Sequence, residues 1–78
     1  MSYRVLENNE PCELFNNPDW NVSIFDDFYN AQIYAYSWAY PQDIDDIRNL
    51  VKTNPFVLGE EKDCGMSEVK IMMKIIEV

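Results

Sequence analysis

The chain predicts an α+β domain: a small antiparallel sheet of three or four strands with two helices packed on one face, in the order ββ(β)ααβ. Three observations carry this. Short alternating segments bounded by Asn, Pro and Asp fill the first 25 residues. Apolar residues recur at spacings of three and four between positions 28 and 51. The last segment, residues 68–78, alternates again. Runs of strand with helices gathered between them are the pattern of helices laid on an antiparallel sheet.

Tyr3–Leu6 reads as the first short strand. Glu7–Pro11 reads as a turn, because Asn8 and Asn9 tolerate positive φ and Pro11 has no N–H for a ladder. Cys12–Phe15 is the expected return strand, and Asn16–Asp19 a second turn. Trp20, Val22 and Ile24 alternate with Asn21, Ser23 and Phe25, which predicts a third short strand.

Ser23 or Asp26 is placed to cap the first helix, with Asp27 in its first turn against the positive end of the dipole. Phe28, Ala31, Ala35 and Trp38 form one apolar face. Tyr29, Ile33, Tyr36 and Tyr40 form a second stripe beside it. Pro41 ends the helix, since the residue before a proline is pushed out of the α region. Asp43 is the candidate cap of the second helix. Its buried stripe is Ile44, Ile47, Leu50 and Val51. Asp45 and Asp46 sit near its start, and Arg48 and Lys52 toward its end, as the dipole prefers. Asn54-Pro55 stops it. Phe56–Leu58 is expected to be extended, and Gly59–Gly65 a polar acidic loop. In the final strand, Val69, Ile71, Met73 and Ile75 alternate with Lys70, Met72, Lys74 and Ile76. This is the expected central strand.

Length and composition bound the rest. Seventy-eight residues predict a single domain over 1–78 with a small core. No apolar run approaches the ~20 residues that span a bilayer. The first residues lack a basic region followed by an apolar stretch, so no signal peptide is expected. The expected setting is therefore cytoplasmic, with Cys12 and Cys64 reduced and a disulfide between them as the alternative. Fourteen Asp and Glu stand against six Lys and Arg, with no His, for a net charge of −8 at pH 7. That charge repels nucleic acid and anionic lipid and favours a basic protein surface.

Catalysis finds little support. Without His there is no His-assisted nucleophile or His base. Neither Cys has the spacing of a redox pair. Glu60-Glu-Lys-Asp-Cys-Gly65 gathers carboxylates before a glycine, but a calcium loop places a bidentate Glu six residues after its glycine, and Ile71 stands there. No enzyme activity, metal or cofactor is expected.

The acids therefore read as a binding surface. Asp26 and Asp27 precede one helix and Asp43, Asp45 and Asp46 open the other, while Glu60, Glu61 and Asp63 crowd a loop. Capping and dipole stabilisation account for part of this, at about 0.3–1 kcal/mol per charge. Carboxylates one helical turn apart lie at roughly 5–6 Å. That is of the order of the phosphate repeat along a nucleic-acid strand. Eight of the aromatics fall within residues 20–40. Phe28 and Trp38 are assigned to the core. Tyr34, beside Asn30 and Ser37, is the ring expected to be most exposed; Tyr36 and Tyr40 are candidates for core or rim packing or for a partner. The predicted partner-binding set is thus Asp26, Asp27, Tyr34, Tyr36, Tyr40, Asp43, Asp45, Asp46, Glu60, Glu61 and Asp63.

Taken as a type, a small acidic chain rich in Tyr and Asn and of compact α+β build resembles the anti-defence proteins of phage and mobile elements, the anti-CRISPR and DNA-mimic inhibitors. The resemblance implies a stoichiometric inhibitor that blocks nucleic-acid access to a host defence complex. Lys70 and Lys74 interrupt the negative field, which favours a mixed acidic and aromatic interface over pure charge mimicry. The alternative is a small assembly or regulatory module, with a homodimer formed through the Tyr stripe or the final strand.

Overall fold

The computed structural model describes residues 1–12, 24–39, 42–65 and 68–78. Its elements run β1 (Tyr3–Glu7), β2 (Glu10–Pro11), β3 (Ile24–Phe25), α1 (Phe28–Ala39), α2 (Ile44–Thr53), β4 (Lys62–Asp63) and β5 (Met72–Glu77). The protein is an α+β fold with an antiparallel sheet. The path across the sheet is β2-β1-β5-β4, and β3 joins the same side of β1 as β2. The strand expected to be central, β5, lies between β1 and β4.

The first hairpin is tighter than the sequence predicts. Asn8 and Asn9 both adopt positive φ, 51° and 66°, as a two-residue type I′ turn requires. Glu7 therefore still belongs to β1, and the return strand starts at Glu10 instead of Cys12. Pro11 is tolerated because it opposes Leu6, whereas the ladder bond falls one residue on, from Cys12 N–H to Val5 C=O at 3.1 Å. Antiparallel ladders alternate bonded and non-bonded pairs, so the proline removes no bond to β1. The expected strand residues 13–15 and 20–23 lie outside the described residues.

Alternation decides which sheet face is covered. Val5, Met73 and Ile75 are fully buried, and cross-strand pairing puts Tyr3, Val5 and Glu7 on their side. This face meets α1. Ala31 and Ala35 are fully buried, and having no long side chain they let the helix backbone lie close to the strands. α2 packs along α1 through Ile47 and Val51, 2% and 5% exposed. Ile44 was expected in that stripe but stands 46% exposed, because it occupies the first turn, before the helix meets its neighbour.

Both helices are capped by aspartate. Asp27, and not Asp26, caps α1: its Oδ1 accepts from Tyr29 N–H at 2.9 Å and its C=O from Ala31 N–H at 3.1 Å. Asp43 caps α2 as expected, accepting from Asp45 N–H at 3.0 Å. Such a side-chain cap stabilises a helix by about 1 kcal/mol. Ser23, Tyr40 and Pro41 lie outside the described residues.

Two further segments differ from expectation. Phe56 is buried, but Val57–Glu60 forms a turn and does not stay extended: Glu60 N–H donates to Val57 C=O at 3.0 Å and Gly59 has φ 82°. Within the expected acidic loop, Lys62 and Asp63 pair with Met73 and Met72 as β4. The final strand begins at Met72, and Val69 stands 61% exposed.

Candidate functional site

Aromatic packing buries one of the expected contact residues and half-buries another. Tyr3 lies against Phe28 with ring centroids 5.4 Å apart, Phe25 against Tyr34 at 5.0 Å, and Tyr34 against Trp38 at 5.9 Å. These rings join α1 to the side of the sheet formed by β1 and β3. Trp38 extends the join by donating from Nε1 to Glu7 Oε2 at 3.2 Å. Tyr34, expected to be the most exposed ring, is half-buried in this row.

Tyr36 is buried at 6% exposure. Its hydroxyl donates to the Asn54 C=O that follows α2, and its ring meets Phe56 edge-on at 5.1 Å. Within the second stripe of α1, Tyr36 therefore packs against the chain that follows α2. Tyr29, near the start of α1, remains 43% exposed.

The acids divide by location and by work. The first half of α1 lies beside the second half of α2, since Tyr29 and Gln32 share a groove with Val51 and Lys52. Asp26 and Asp27 thus sit at the opposite end of the helical pair from Asp43, Asp45 and Asp46. They do not form one strip.

At the α2 end the structure does bring acids together. Asp46 on α2 and Asp63 on β4 line one groove of about 420 Å³, with Asn49, Asn54 and Cys64 also on its walls. Asp63 has a structural task there. Its Oδ1 accepts from Gly65 N–H at 3.0 Å and from Ile71 N–H at 3.1 Å, closing the chain between β4 and β5. Glu61 lies 3.9 Å from Lys74, and Asp45 lies 4.0 Å from Arg48. Exposed pairs of this kind contribute about 0–1 kcal/mol. Among the described residues, Asp26, Asp46 and Glu60 make no hydrogen bond or ion pair through their side chains, and all three are exposed.

Neither thiol is activated. Burial pushes the Cys12 thiol up to about 12, helped by the Glu7 carboxylate. Burial raises Cys64 to about 11; the Lys62 charge opposes this and the Asp63 charge adds to it. Tyr36 is pushed up to about 12, first by burial and then by Cys64. Both cysteines are free. A thiol held neutral at physiological pH is a poor nucleophile and a poor metal ligand. Among the described residues no three His, Cys, Asp or Glu side chains gather in a way that could hold a metal ion. No described helix is long and apolar enough to cross a membrane.

Sequence reasoning missed the Asp46–Asp63 groove because it depends on β4. A two-residue strand leaves no alternation to read. The only signal was Asp63 standing before the Cys64-Gly65 pair, a turn-forming context.

Compared with known proteins, the chain matches no family model, no curated protein and no solved structure.

Proposed function

We propose that this chain is a non-enzymatic, stoichiometric inhibitor that binds a basic protein surface, of the anti-CRISPR kind, encoded by a phage or mobile element and acting in the cytoplasm of a bacterial host. The observation that carries the reading is the acidic end of α2, where exposed Asp45 and Asp46 stand beside the groove that Asp63 lines from the sheet. The net charge of −8 supports it by steering the chain toward a cationic surface built to hold nucleic acid. Asp43, Asp45 and Asp46 are all exposed at this end; Asp43 alone caps the helix, and Asp45 lies 4.0 Å from Arg48.

Relative to the sequence expectation, the aromatic part of the surface moves. Tyr36 and Tyr34 hold the fold, so the contact at this end is acidic and amide-rich, through Asp46, Asn49 and Asn54. Guanidinium groups suit such acceptors, because their planar donors pair with carboxylate and amide oxygens together.

The direct test is cleavage inhibition. Purified guide-loaded CRISPR nucleases and a restriction enzyme are assayed with increasing inhibitor at low and high salt. The reading predicts loss of DNA binding by one of them at near-equimolar inhibitor, weakening as salt rises. Unimpaired cleavage by every enzyme, or inhibition indifferent to salt, contradicts it.

A further inference from the structure

The Val57–Glu60 turn presents two aliphatic side chains where turns ordinarily carry polar ones. Leu58 and Gly59 are its central residues, and φ 82° at Gly59 is the geometry of a type II turn. Val57 is 57% and Leu58 43% exposed. The turn is held on a rigid mount. Phe56, 3% exposed, donates its N–H to Gln32 Oε1 at 2.8 Å, and Gly59 N–H donates to Ile75 C=O at 2.8 Å. Glu60 and Glu61 follow at once, so the apolar tip has an acidic flank.

A groove of opposite charge lies on the same molecule. Tyr29, Gln32, Val51, Arg48 and Lys52 line a cleft of about 620 Å³ between α1 and α2. Tyr29 and Val51 supply its apolar walls, and Asn49 also lines it. Arg48 and Lys52 rim it from adjacent turns of α2. They are two of only six cations in the chain. Tip and groove are neighbours, because Gln32 lines the groove and also holds the Phe56 amide.

We propose that two copies of this chain form a two-fold dimer in which the Val57–Leu58 turn of each enters the helix groove of the other. Adjacent complementary features suit a two-fold axis. Each copy gives its tip and receives its partner's, so the interface closes and does not propagate into a filament. Glu60 and Glu61 of one copy then meet Arg48 and Lys52 of the other. A strand-to-strand dimer through β5 is disfavoured, because β5 already has β1 on one side and β4 with Gly59 on the other. The inference does not depend on the inhibitor reading, although Asn49 lines both grooves and Arg48 lies 4.0 Å from Asp45. The groove uses α2 from Arg48 to Lys52, and Asp43, Asp45 and Asp46 lie toward the helix's start, within a helix only about 15 Å long. A dimer therefore presents two acidic ends at once.

The test is the solution mass of the full chain by light scattering and sedimentation equilibrium, with circular dichroism confirming the fold of each variant. Wild type is expected at twice the single-chain mass. Leu58→Glu, the milder Val57→Ser/Leu58→Ser pair, Arg48→Glu/Lys52→Glu and Glu60→Lys/Glu61→Lys are each expected at single-chain mass. Mixing the last two charge-reversed variants restores the dimer, since both contacts become complementary again. A wild-type monomer at millimolar concentration overturns the proposal. So does a dimer that persists through the folded tip and groove variants, or a charge-reversed mixture that stays monomeric.

Discussion

Cys12 and Ile24 meet successive residues of β1, although residues 13–23 separate them in the chain. Cys12 N–H donates to Val5 C=O at 3.1 Å, and Ile24 pairs with Arg4. β2 and β3 thus run in line along one side of β1. This places Cys12 on the Val5 face, where it is 1% exposed and inside the core.

Its chemistry follows from that position. Cys12 in the folded protein is expected to resist an aromatic disulfide reagent at mildly alkaline pH and to react at once in denaturant. Thiol release timed by absorbance checks this, and rapid labelling of the folded chain at both cysteines contradicts it.

The raised pKa values also set a pH dependence of stability. Cys12 rises from an ordinary 9.0 to about 12, Cys64 from 9.0 to about 11 and Tyr36 from 10.0 to about 12. In each case the folded state holds the proton more tightly than the unfolded chain. Their contribution is therefore complete below about pH 9 and is lost as pH rises through the folded values. Each group caught between its two values lowers stability by up to about 1.4 kcal/mol per pH unit. Urea midpoints should hold level to about pH 8.5 and then fall. A midpoint unchanged to pH 11 contradicts the burial of these groups.

Gln32 ties α1 to the segment that follows α2. It is the buried polar side chain of α1, and its Oε1 takes the amide of buried Phe56. Gln32→Leu leaves that N–H without an acceptor at a cost of about 1–3 kcal/mol. Gln32→Glu keeps an acceptor but buries a charge, so its cost should grow with pH above the carboxylate range. Chemical denaturation of both variants tests the assignment, which fails if Gln32→Leu is neutral.

Much of this helical layer was legible in the sequence, and the reason is local. Asp43 with Ile47 and Val51, and Ala31 with Ala35, are periodic signals backed by a cap. Met73 and Ile75 likewise follow from alternation in a strand covered on that face. Tyr36, a candidate for either packing or a partner, is buried because α1 packs on two sides. It meets the sheet along one stripe and α2 along the next, and no single helix reveals how wide an arc its neighbours will cover. The Asp46–Asp63 groove was hidden for a different reason, since the pairing of Lys62 with Met73 is non-local and short.

Gly65 has no room for a side chain. A Cβ there would run into the Val69 carbonyl and crowd Ile71 N, both backbone atoms that cannot swing aside. Gly65→Ala is expected to destabilise by about 1–3 kcal/mol. Asp63→Ala, which strips the acceptor from Gly65 and Ile71, should cost about 1–2 kcal/mol, with Asp63→Asn recovering most of it. Thermal melting ranks the three. An Asp63→Asn variant no better than Asp63→Ala would show that charge, and not the hydrogen bonds, matters at this position.

Tyr36→Phe isolates the bond between the Tyr36 hydroxyl and the Asn54 carbonyl while keeping the ring against Phe56. Its loss should cost about 0.5–1.5 kcal/mol. A partner-contact role for Tyr36 predicts the reverse pattern, unchanged stability with weakened binding.

The acidic end of α2 is what the proposed function depends on most, and Asp45 and Asp46 are the residues there whose removal leaves the cap Asp43 intact. The decisive measurement is the affinity of wild type and of Asp45→Asn/Asp46→Asn for an inhibited guide-loaded nuclease across a salt series. The account predicts a folded variant that binds about tenfold or more weakly at low salt, about 1.4 kcal/mol, with a shallower salt dependence. Equal affinity and equal salt slope for the two proteins would contradict it.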